Sequence, residues 1–426
     1  MATARSRPDR TAPLLASHDI LERLRRDPRS PWLLPLALAG YVVLVTSSWE
    51  FPAWWGVPYP PVFLAATALV TLAWRRFRDA LRPIELTVLV VAVSALMTDV
   101  TSAFTQPIRD IELYLKAGER FLAGQPVYLT TLVTTRPEDL SNYPFLYPPV
   151  TLPLFGALSL LPLPLAVGAW VGASVAAAVT ALRLLGLPWR WTLAALAWPP
   201  FFQGLFVGNV AIPMFLLFVL APRFGAGLVV PPLFKAYAAI TTLWLVRERR
   251  WLDLAGGAAL VGLAVLGSLL VVEPRLWLDW LRGLELYRAS QAHLPALYGL
   301  GLGQYVPLVV VPLAALVFVV AAVVGPSPTE RLARLGVATV VGSPSLFSHG
   351  FTLALPAILG LRTSWLWLAL GITSAAPGLA WWVVPVVVLA SWALPALRSE
   401  ATRPWPQWEA GTRARPTVLE EASRAG

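Results

Sequence analysis

The fold class is decided by residues 247–272, which have the sequence RERRWLDLAGGAALVGLAVLGSLLVV. Residues 247–250 are three arginines and a glutamate, and the apolar run that follows them contains a single charged side chain, Asp253. An apolar run of about 17 to 25 residues is long enough to cross the roughly 30 Å of hydrocarbon in a bilayer. Short basic segments beside such runs mark the cytoplasmic side of a membrane. The stretch therefore predicts a transmembrane helix that begins at the cytoplasmic face.

The composition of the whole chain indicates the same class of protein. Hydrophobic residues make up 57% of the 426 residues and charged residues only 13%, about half the charged share of a soluble domain. The mean hydropathy is +0.66. These values predict an all-α polytopic membrane protein, because helices satisfy their own backbone hydrogen bonds in lipid.

The charge and the rare residue types exclude several functions. The net charge of +10 could indicate a nucleic-acid partner, but the arginines cluster between apolar runs, so we expect no nucleic acid. The chain has no cysteine, which excludes a thiolate nucleophile or a cysteine-ligated metal. With three histidines in total, a multi-histidine metal site is also not expected.

Further apolar runs predict about 12 to 14 membrane segments. They lie near 32–49, 59–74, 84–104, 148–163, 165–183, 191–206, 208–222, 225–246, 251–272, 303–325, 334–347, 350–361, 363–375 and 378–397. The segments around Pro148, Pro199 and Gly208 could be half-helices or re-entrant pieces, since broken helices are tolerated where protein buries them.

The distribution of arginine predicts which side each connection faces. Residues 1–31 form a basic tail without an apolar run, and residues 398–426 form a second polar tail, so both termini are expected in the cytoplasm. The basic groups at 75–78, 247–250 and 331–334 fall on that same side. Two long connections, 105–147 and 273–302, then face the outside. Long ordered connections tend to carry functional sites, so we expect the active site there.

The two exterior connections have different patterns. The first predicts an amphipathic helix in the membrane interface, because its apolar and charged residues separate onto two faces at helical spacing. The apolar face is Ile111, Tyr114, Leu115, Gly118 and Leu122, and the opposite face is Glu112, Lys116, Glu119 and Arg120. The second connection mixes aromatic and basic residues, which is typical of headgroup level. It contains Trp277, Trp280, Tyr287, Arg275, Arg282 and Arg288.

Two acidic residues are candidates for acid–base chemistry. Asp110 stands just before the predicted interfacial helix, where it could serve as an N-cap that accepts hydrogen bonds from free backbone N–H groups. It could also be a general base at the point where a lipid-linked substrate meets water. Asp99, near the end of its predicted span, is the rival acid, because a carboxylate inside the membrane is costly.

Two cationic or polar residues are candidates for anion binding. Lys235 lies near the middle of the predicted span 225–246, so it needs an anionic partner. That partner could be a structural ion pair or a phosphate or diphosphate group reaching in from the lipid. His349 lies at the outer end of a span and could be structural or could contact a ligand.

Missing motifs leave more than one class of function open. The chain contains no Walker loop, no GxGxxG motif and no GxSxG nucleophile elbow, so any activated donor should be a lipid rather than a nucleotide. A lipid or lipid-linked-sugar transporter or flippase would also explain broken helices and an intramembrane lysine. It would predict two related halves, which the sequence does not show. A non-catalytic scaffold remains a further alternative.

A series of short motifs resembles glycosyltransferase family 87, a family of membrane mannosyltransferase-like proteins of the GT-C class. The motifs are Asp110-Ile111-Glu112-Leu113-Tyr114, Ala117-Gly118, Leu122 to Tyr128 (LAGQPVY), Tyr147-Pro148-Pro149, Leu160-Leu161-Pro162, Gly208-Asn209, Lys235 and Ser343-Pro344 with His349. The family's Gly-Gln-x-Asn stands here as Gly208-Asn209-Val210-Ala211. The likeness covers about residues 84–397, and the hairpin at 32–83 looks like an addition before it.

The resemblance implies a function for these residues. It implies an inverting hexosyltransferase that moves a sugar, expected to be mannose, from a polyprenyl-phosphate donor to a hydroxyl of a glycolipid or polysaccharide acceptor. Asp110 would be the general base. The substrate-binding residues would be Tyr114, Tyr147, Lys235, Arg282, Arg288 and His349. No cofactor and no metal are expected, and the active site would face outside the cell membrane.

Overall fold

The fold is described from a computed structural model that covers residues 108–134, 144–187, 189–361, 363–373, 378–394 and 397. The predicted tails 1–31 and 398–426, the hairpin 32–83 and Asp99 lie outside the described residues. Within the described ranges the chain is helical and contains no β-strand, apart from an isolated bridge between Gly299 and Leu346. The expectation of an all-α protein is confirmed for these ranges.

The helices of the described residues are numbered in chain order. They are α1 Arg109–Leu122, α2 Leu152–Ser159, α3 Leu163–Leu184, α4 Trp189–Leu196, α5 Pro199–Val207, α6 Ala211–Leu220, α7 Ala239–Arg247, α8 Trp251–Ser268, α9 Pro274–His293, α10 Val310–Val323, α11 Pro328–Val341, α12 Leu355–Ile358, α13 Thr363–Ile372 and α14 Val383–Ala393. Short 3₁₀ turns connect several of them, including Pro149–Thr151, Gly225–Val229, Pro231–Leu233, Ala236–Ala238 and Ser348–Ala354.

Of the described helices, α3 and α8 are long and apolar enough to cross a membrane. They correspond to the predicted spans 165–183 and 251–272. The other apolar helices are shorter, because proline and glycine interrupt them. The expected half-helices are present: the predicted span 191–206 is divided into α4 and α5 before Pro199-Pro200, and 148–163 is a 3₁₀ turn followed by α2.

Two of the predicted continuous spans are wrong. Residues 225–246 were expected to form one helix, but the chain makes three 3₁₀ turns before α7 begins at Ala239. Pro231 and Pro232 have no backbone N–H to donate to an α-helix, so the segment stays irregular. The predicted span 350–361 is likewise mostly the 3₁₀ segment Ser348–Ala354, followed by the short α12. Lys235 therefore lies on irregular backbone.

The second long connection, predicted as a loop over 273–302, is largely the 20-residue helix α9. Pro274 at its first turn fits the start of a helix, where no N–H is needed. The helix packs on the first long connection: Trp280 Nε1 donates to the Leu146 carbonyl at 3.0 Å, and the Val133 N–H donates to Ser290 Oγ at 2.8 Å. The two connections therefore form one layer.

The largest apolar core surrounds α11, whose residues from Leu332 to Val341 are all buried. This helix packs against α7, α10 and the 3₁₀ segment Ser348–Ala354. Gly336 allows the close approach, because a Cβ there would meet the Leu353 carbonyl oxygen. The segment that carries His349 is thus held against a buried helix.

The basic connection 247–250 and the arginines of the first turns of α11, Arg331 and Arg334, meet at the amino end of α8. Arg331 forms two hydrogen bonds to the Glu248 carboxylate, at 2.6 and 3.0 Å, and Arg250 pairs with Asp253 at 2.7 Å. Helix α8 has 18 residues and is therefore about 27 Å long. It leads at its far end to α9, so the basic cluster and the layer of the two long connections lie at opposite ends of α8.

Candidate active site

Asp110 lies in the first turn of α1 and is buried, with 6% of its surface exposed. The helix begins at Arg109, and the preceding Ile108 occupies the N-cap position with a positive φ of 51°. The N-cap interpretation of Asp110 is therefore wrong. Its carboxylate instead faces other elements of the fold, and the amino end of the helix favours its negative charge.

Both oxygens of the Asp110 carboxylate accept hydrogen bonds. Arg109 Nε donates to Oδ1 at 2.9 Å, and Asn209 Nδ2 donates to Oδ2 at 2.6 Å. Charge-assisted hydrogen bonds of this kind are stronger than neutral ones. They hold the carboxylate at a fixed orientation, which suits a group that must meet a proton in a defined direction.

Asn209 comes from the corner between α5 and α6. Gly208 ends α5 with φ of 73°, a conformation that glycine adopts without strain, and a Cβ there would lie 2.9 Å from Ile111 Cβ. The Asn209 N–H donates to the Gly204 carbonyl at 2.8 Å, and the Ala211 N–H donates to Asn209 Oδ1 at 2.9 Å. The corner therefore packs directly against the start of α1.

Two tyrosines flank the carboxylate. The Tyr114 and Tyr147 hydroxyls lie 3.0 Å apart, and their rings meet edge to face at 5.3 Å. Burial, and then the neighbouring Tyr147, raises the pKa of Tyr114 well above its usual value. Burial and the nearby Asp110 also raise the pKa of Tyr147. Both phenols therefore keep their protons at neutral pH and can act as hydrogen-bond donors.

Lys235 and His349 form the other half of the site. Lys235 Nζ lies 3.3 Å from His349 Nε2, and His349 is 1% exposed. Asp110 acts electrostatically on Lys235, and Arg109 does so on His349, so the two halves are neighbours. Among the described residues Lys235 has no ion pair within contact distance, so the structural ion pair that the sequence left open is not formed there.

Buried polar atoms without a partner accompany this pair. His349 Nδ1 and Ser348 Oγ are both buried and have no hydrogen-bond partner among the described residues. When Lys235 is charged and donates to Nε2, the imidazole proton must lie on Nδ1. A buried donor without a partner is costly, which is a feature of ligand sites.

The structure places the two predicted arginines of the second connection elsewhere. Arg282 and Arg288 lie on the exposed side of α9. The Arg282 side chain is 74% exposed and lies 4.0 Å from Asp279. The described contacts thus bring together Asp110, Tyr114, Tyr147, Lys235 and His349 but do not join either arginine to them.

Sequence reasoning missed two members of the cluster, Arg109 and Asn209. Arg109 was not considered as a site residue, although it is adjacent to Asp110. Asn209 was noted as part of the Gly208-Asn209 motif without a role. Gly208 ends a helix and is followed by the amide side chain of Asn209 within an apolar stretch, and this pattern was the signal that could have indicated a role for Asn209. No group of three or more potential metal ligands occurs among the described residues.

The comparison with known families identifies part of the chain. Residues 145–344 match the model of glycosyltransferase family 87. The match supports the resemblance that the motifs suggested, and the family that it names is one of glycosyltransferases. No curated protein and no solved structure matches the chain.

The family 87 match covers some of the cluster. Tyr147, Asn209 and Lys235 lie within residues 145–344, whereas Asp110 and His349 lie outside them. The structure connects the two groups through the Asn209–Asp110 and Lys235–His349 contacts.

Proposed function

We propose that the protein is a polytopic membrane glycosyltransferase of the GT-C class. It transfers a sugar, with mannose as the expected one, from a polyprenyl-phosphate donor to a hydroxyl of a glycolipid or polysaccharide acceptor. Reaction occurs at the outer face of the cell membrane and inverts the anomeric configuration. The observation that carries the proposal is the buried Asp110 carboxylate, held at both oxygens and facing a Lys235–His349 pair.

Asp110 has the properties that a general base in this reaction requires. Hydrogen bonds from Arg109 and Asn209 fix the direction of its carboxylate. Its position in the first turn of α1 is next to the layer formed by the two long connections. An acceptor hydroxyl that reaches the carboxylate can give up its proton as the new bond forms.

The Lys235–His349 pair suits the phosphate of the donor. Lys235 contributes a positive charge 3.3 Å from His349 Nε2, and His349 Nδ1 is a buried group without a partner among the described residues. A polyprenyl phosphate that leaves the sugar carries negative charge, which a lysine and a neutral imidazole can stabilise. No strong general acid is then needed.

The proposed reaction balances in a single displacement. The acceptor oxygen forms a bond to the anomeric carbon, and the bond from that carbon to the phosphate oxygen breaks. The acceptor proton moves to Asp110, and the polyprenyl phosphate leaves with the electron pair. Attack from the face opposite the phosphate inverts the configuration through an oxocarbenium-like transition state.

The arrangement of charge supports the proposed membrane orientation. The arginine cluster of 247–250 and 331–334 lies at the amino end of α8, and the two long connections lie at its other end. Arginine-rich short connections face the cytoplasm in membrane proteins. Helix α8 is apolar, and Leu252, Leu260, Leu263 and Leu266 on it are exposed, as expected for a surface that contacts lipid. The site then faces outward.

The test is sugar transfer in membranes that contain either the wild type or the Asp110→Asn variant. The membranes receive radiolabelled polyprenyl-phosphate mannose and a lipid extract as acceptor. We expect the wild type to label an acceptor and the variant, at an equal amount, to lose at least about 100-fold in rate, as for loss of a general base. Glu285→Gln, on the exposed side of α9, is the matched control and should retain activity.

Each result has a distinct meaning. If Asp110→Asn keeps most of the activity, Asp110 is not the base, and Asp99→Asn is the next variant to measure. If wild-type membranes form no labelled product but move the labelled lipid between leaflets, the transferase proposal is wrong and a flippase is correct.

A further inference from the structure

We infer that Asn209 is a positioning residue that sets the orientation of the Asp110 carboxylate for proton acceptance. The inference rests on the proposed function, because it concerns the same base. Asn209 is 4% exposed and its Nδ2 donates to Asp110 Oδ2 at 2.6 Å. Asp110 belongs to α1 and Asn209 to the α5–α6 corner, so the contact joins two elements that are far apart in sequence.

The orientation of the Asn209 amide is determined by a second hydrogen bond. Its Oδ1 accepts the Ala211 N–H at 2.9 Å, so the oxygen must point to α6 and the nitrogen must point to Asp110. A flipped amide would place two oxygens against each other at Asp110 and two donors at Ala211. The amide can therefore only donate to the carboxylate.

The corner that carries Asn209 is itself fixed to its surroundings. The Trp170 indole N–H donates to the Gly208 carbonyl at 2.7 Å, and the Asn209 N–H donates to Gly204 O at 2.8 Å. The Ile108 N–H donates to Phe206 O at 3.0 Å, which joins the start of α1 to the end of α5. The distance between the amide and the carboxylate is thus set by backbone contacts.

This arrangement restricts how the base can move. A carboxylate rotates freely about its Cβ–Cγ bond when only one oxygen is held. Arg109 on Oδ1 and Asn209 on Oδ2 together prevent that rotation. The remaining lone pairs then point in fixed directions, and one of them can meet the acceptor hydroxyl. Small errors in such geometry cost about 100-fold in rate.

The corner that carries Asn209 also contacts the tyrosine pair. The Val210 N–H donates to the Tyr114 hydroxyl at 3.5 Å, and that hydroxyl lies 3.0 Å from the Tyr147 hydroxyl. Asp110, the α5–α6 corner and the two tyrosines are therefore neighbours. Replacing Asn209 should therefore affect the catalytic step rather than the binding of the apolar donor tail.

The first test compares kcat and KM for Asn209→Ala with the wild type in membranes, using polyprenyl-phosphate mannose as the donor. We expect kcat to fall about 100-fold, with KM for the donor changed by less than about threefold. Asn209→Gln keeps the amide donor and should recover part of the loss. Thr339→Val, a buried change in α11 away from the site, controls for altered packing and should retain kcat.

The second test measures the pH–rate profile of Asn209→Asp. This change replaces a donor with a second carboxylate beside Asp110, and two carboxylates in contact share a proton. On the acid side of the profile, the rate of this variant should then rise at a higher pH than the rate of the wild type does. If Asn209 has a purely structural role, the variant should lose activity at every pH, and the acid side of its profile should stay at the wild-type pH.

The outcomes separate the inference from the function. If Asn209→Ala retains kcat within about threefold while Asp110→Asn is inactive, the inference is overturned and the transferase proposal stands. A pH profile for Asn209→Asp that coincides with that of the wild type also overturns it. If the wild type itself transfers no sugar, the proposed function fails first.

Discussion

Two groups of charged residues, the arginine cluster at the amino end of α8 and the candidate site, use charge in opposite ways. At the amino end, Arg331 and Glu248 form a bidentate pair, and the Arg334 guanidinium contacts Glu330 in the same helix. At the candidate site, Lys235 contacts a histidine rather than a carboxylate, and His349 Nδ1 has no partner among the described residues. The charged groups at the amino end of α8 are therefore paired with one another within the protein.

This difference teaches how a structural charge can be separated from a functional one. A buried ion pair with complete hydrogen bonding holds elements together, and removing one partner leaves an uncompensated charge. A cation beside an unpaired buried donor leaves hydrogen-bonding capacity that a ligand can use. Substitutions should therefore affect folding at the amino end of α8 and sugar transfer at the site.

The largest expected effect is at Lys235. We expect Lys235→Ala to lower the rate of transfer by about 100-fold to 1000-fold, because a positive charge near the leaving phosphate is lost. Lys235→Arg should keep part of the activity. The rate is measured with labelled donor at equal amounts of protein in the membrane.

The other lysine of the chain provides the control for that prediction. Lys116 is exposed on α1, and Lys116→Ala should change the rate by less than about twofold. If Lys235→Ala and Lys116→Ala lose activity equally, the specific role of Lys235 is contradicted. The rate would then depend on the overall positive charge rather than on the site.

The second expected effect is on stability and concerns Arg331 and Glu248. Their side chains are 12% and 14% exposed, so Arg331→Ala should destabilise the fold by about 3 kcal/mol through the unpaired Glu248 carboxylate. The measurement is thermal unfolding in detergent. The double variant Arg331→Leu with Glu248→Leu should recover much of the loss. Activity per folded molecule should stay near that of the wild type. A loss of kcat without a loss of stability would contradict the structural role of this pair.

The smallest expected effect is at Arg282 and Arg288, which the sequence suggested as phosphate-binding residues. Because both lie on the exposed side of α9, we expect Arg282→Ala and Arg288→Ala to change kcat/KM by less than about threefold. The comparison uses the same labelled donor at physiological salt. A loss greater than about tenfold in either variant would place that arginine in the site and restore the interpretation from sequence.

Sequence patterns predicted the elements whose residues decide their structure locally. The amphipathic helix α1 and the long apolar helices α3 and α8 follow from periodicity and from apolar length. The helix interruptions near Pro148 and Pro199 were expected because proline has no N–H to donate. The breaks in 225–246 were missed, since a run of apolar residues hid the effect of Pro231 and Pro232.

The site was predictable in part because its most costly residues stand out in an apolar chain. Asp110 and Lys235 were found as charges in or beside membrane segments, and the described contacts bring them together with Tyr114, Tyr147 and His349. Asn209 could not be given a role, because its contact with Asp110 depends on how the α5–α6 corner packs against α1. Packing between distant segments has no local signature in the sequence.

The wide separation of the site residues along the chain has a consequence for biosynthesis. Asp110 is made early, but its neighbours Asn209 and Lys235 follow much later, and His349 later still. Contacts between distant segments form only after the loop between them is closed. The site therefore cannot be complete before residue 349 has left the ribosome and entered its place, so a nascent chain would remain inactive during most of its synthesis.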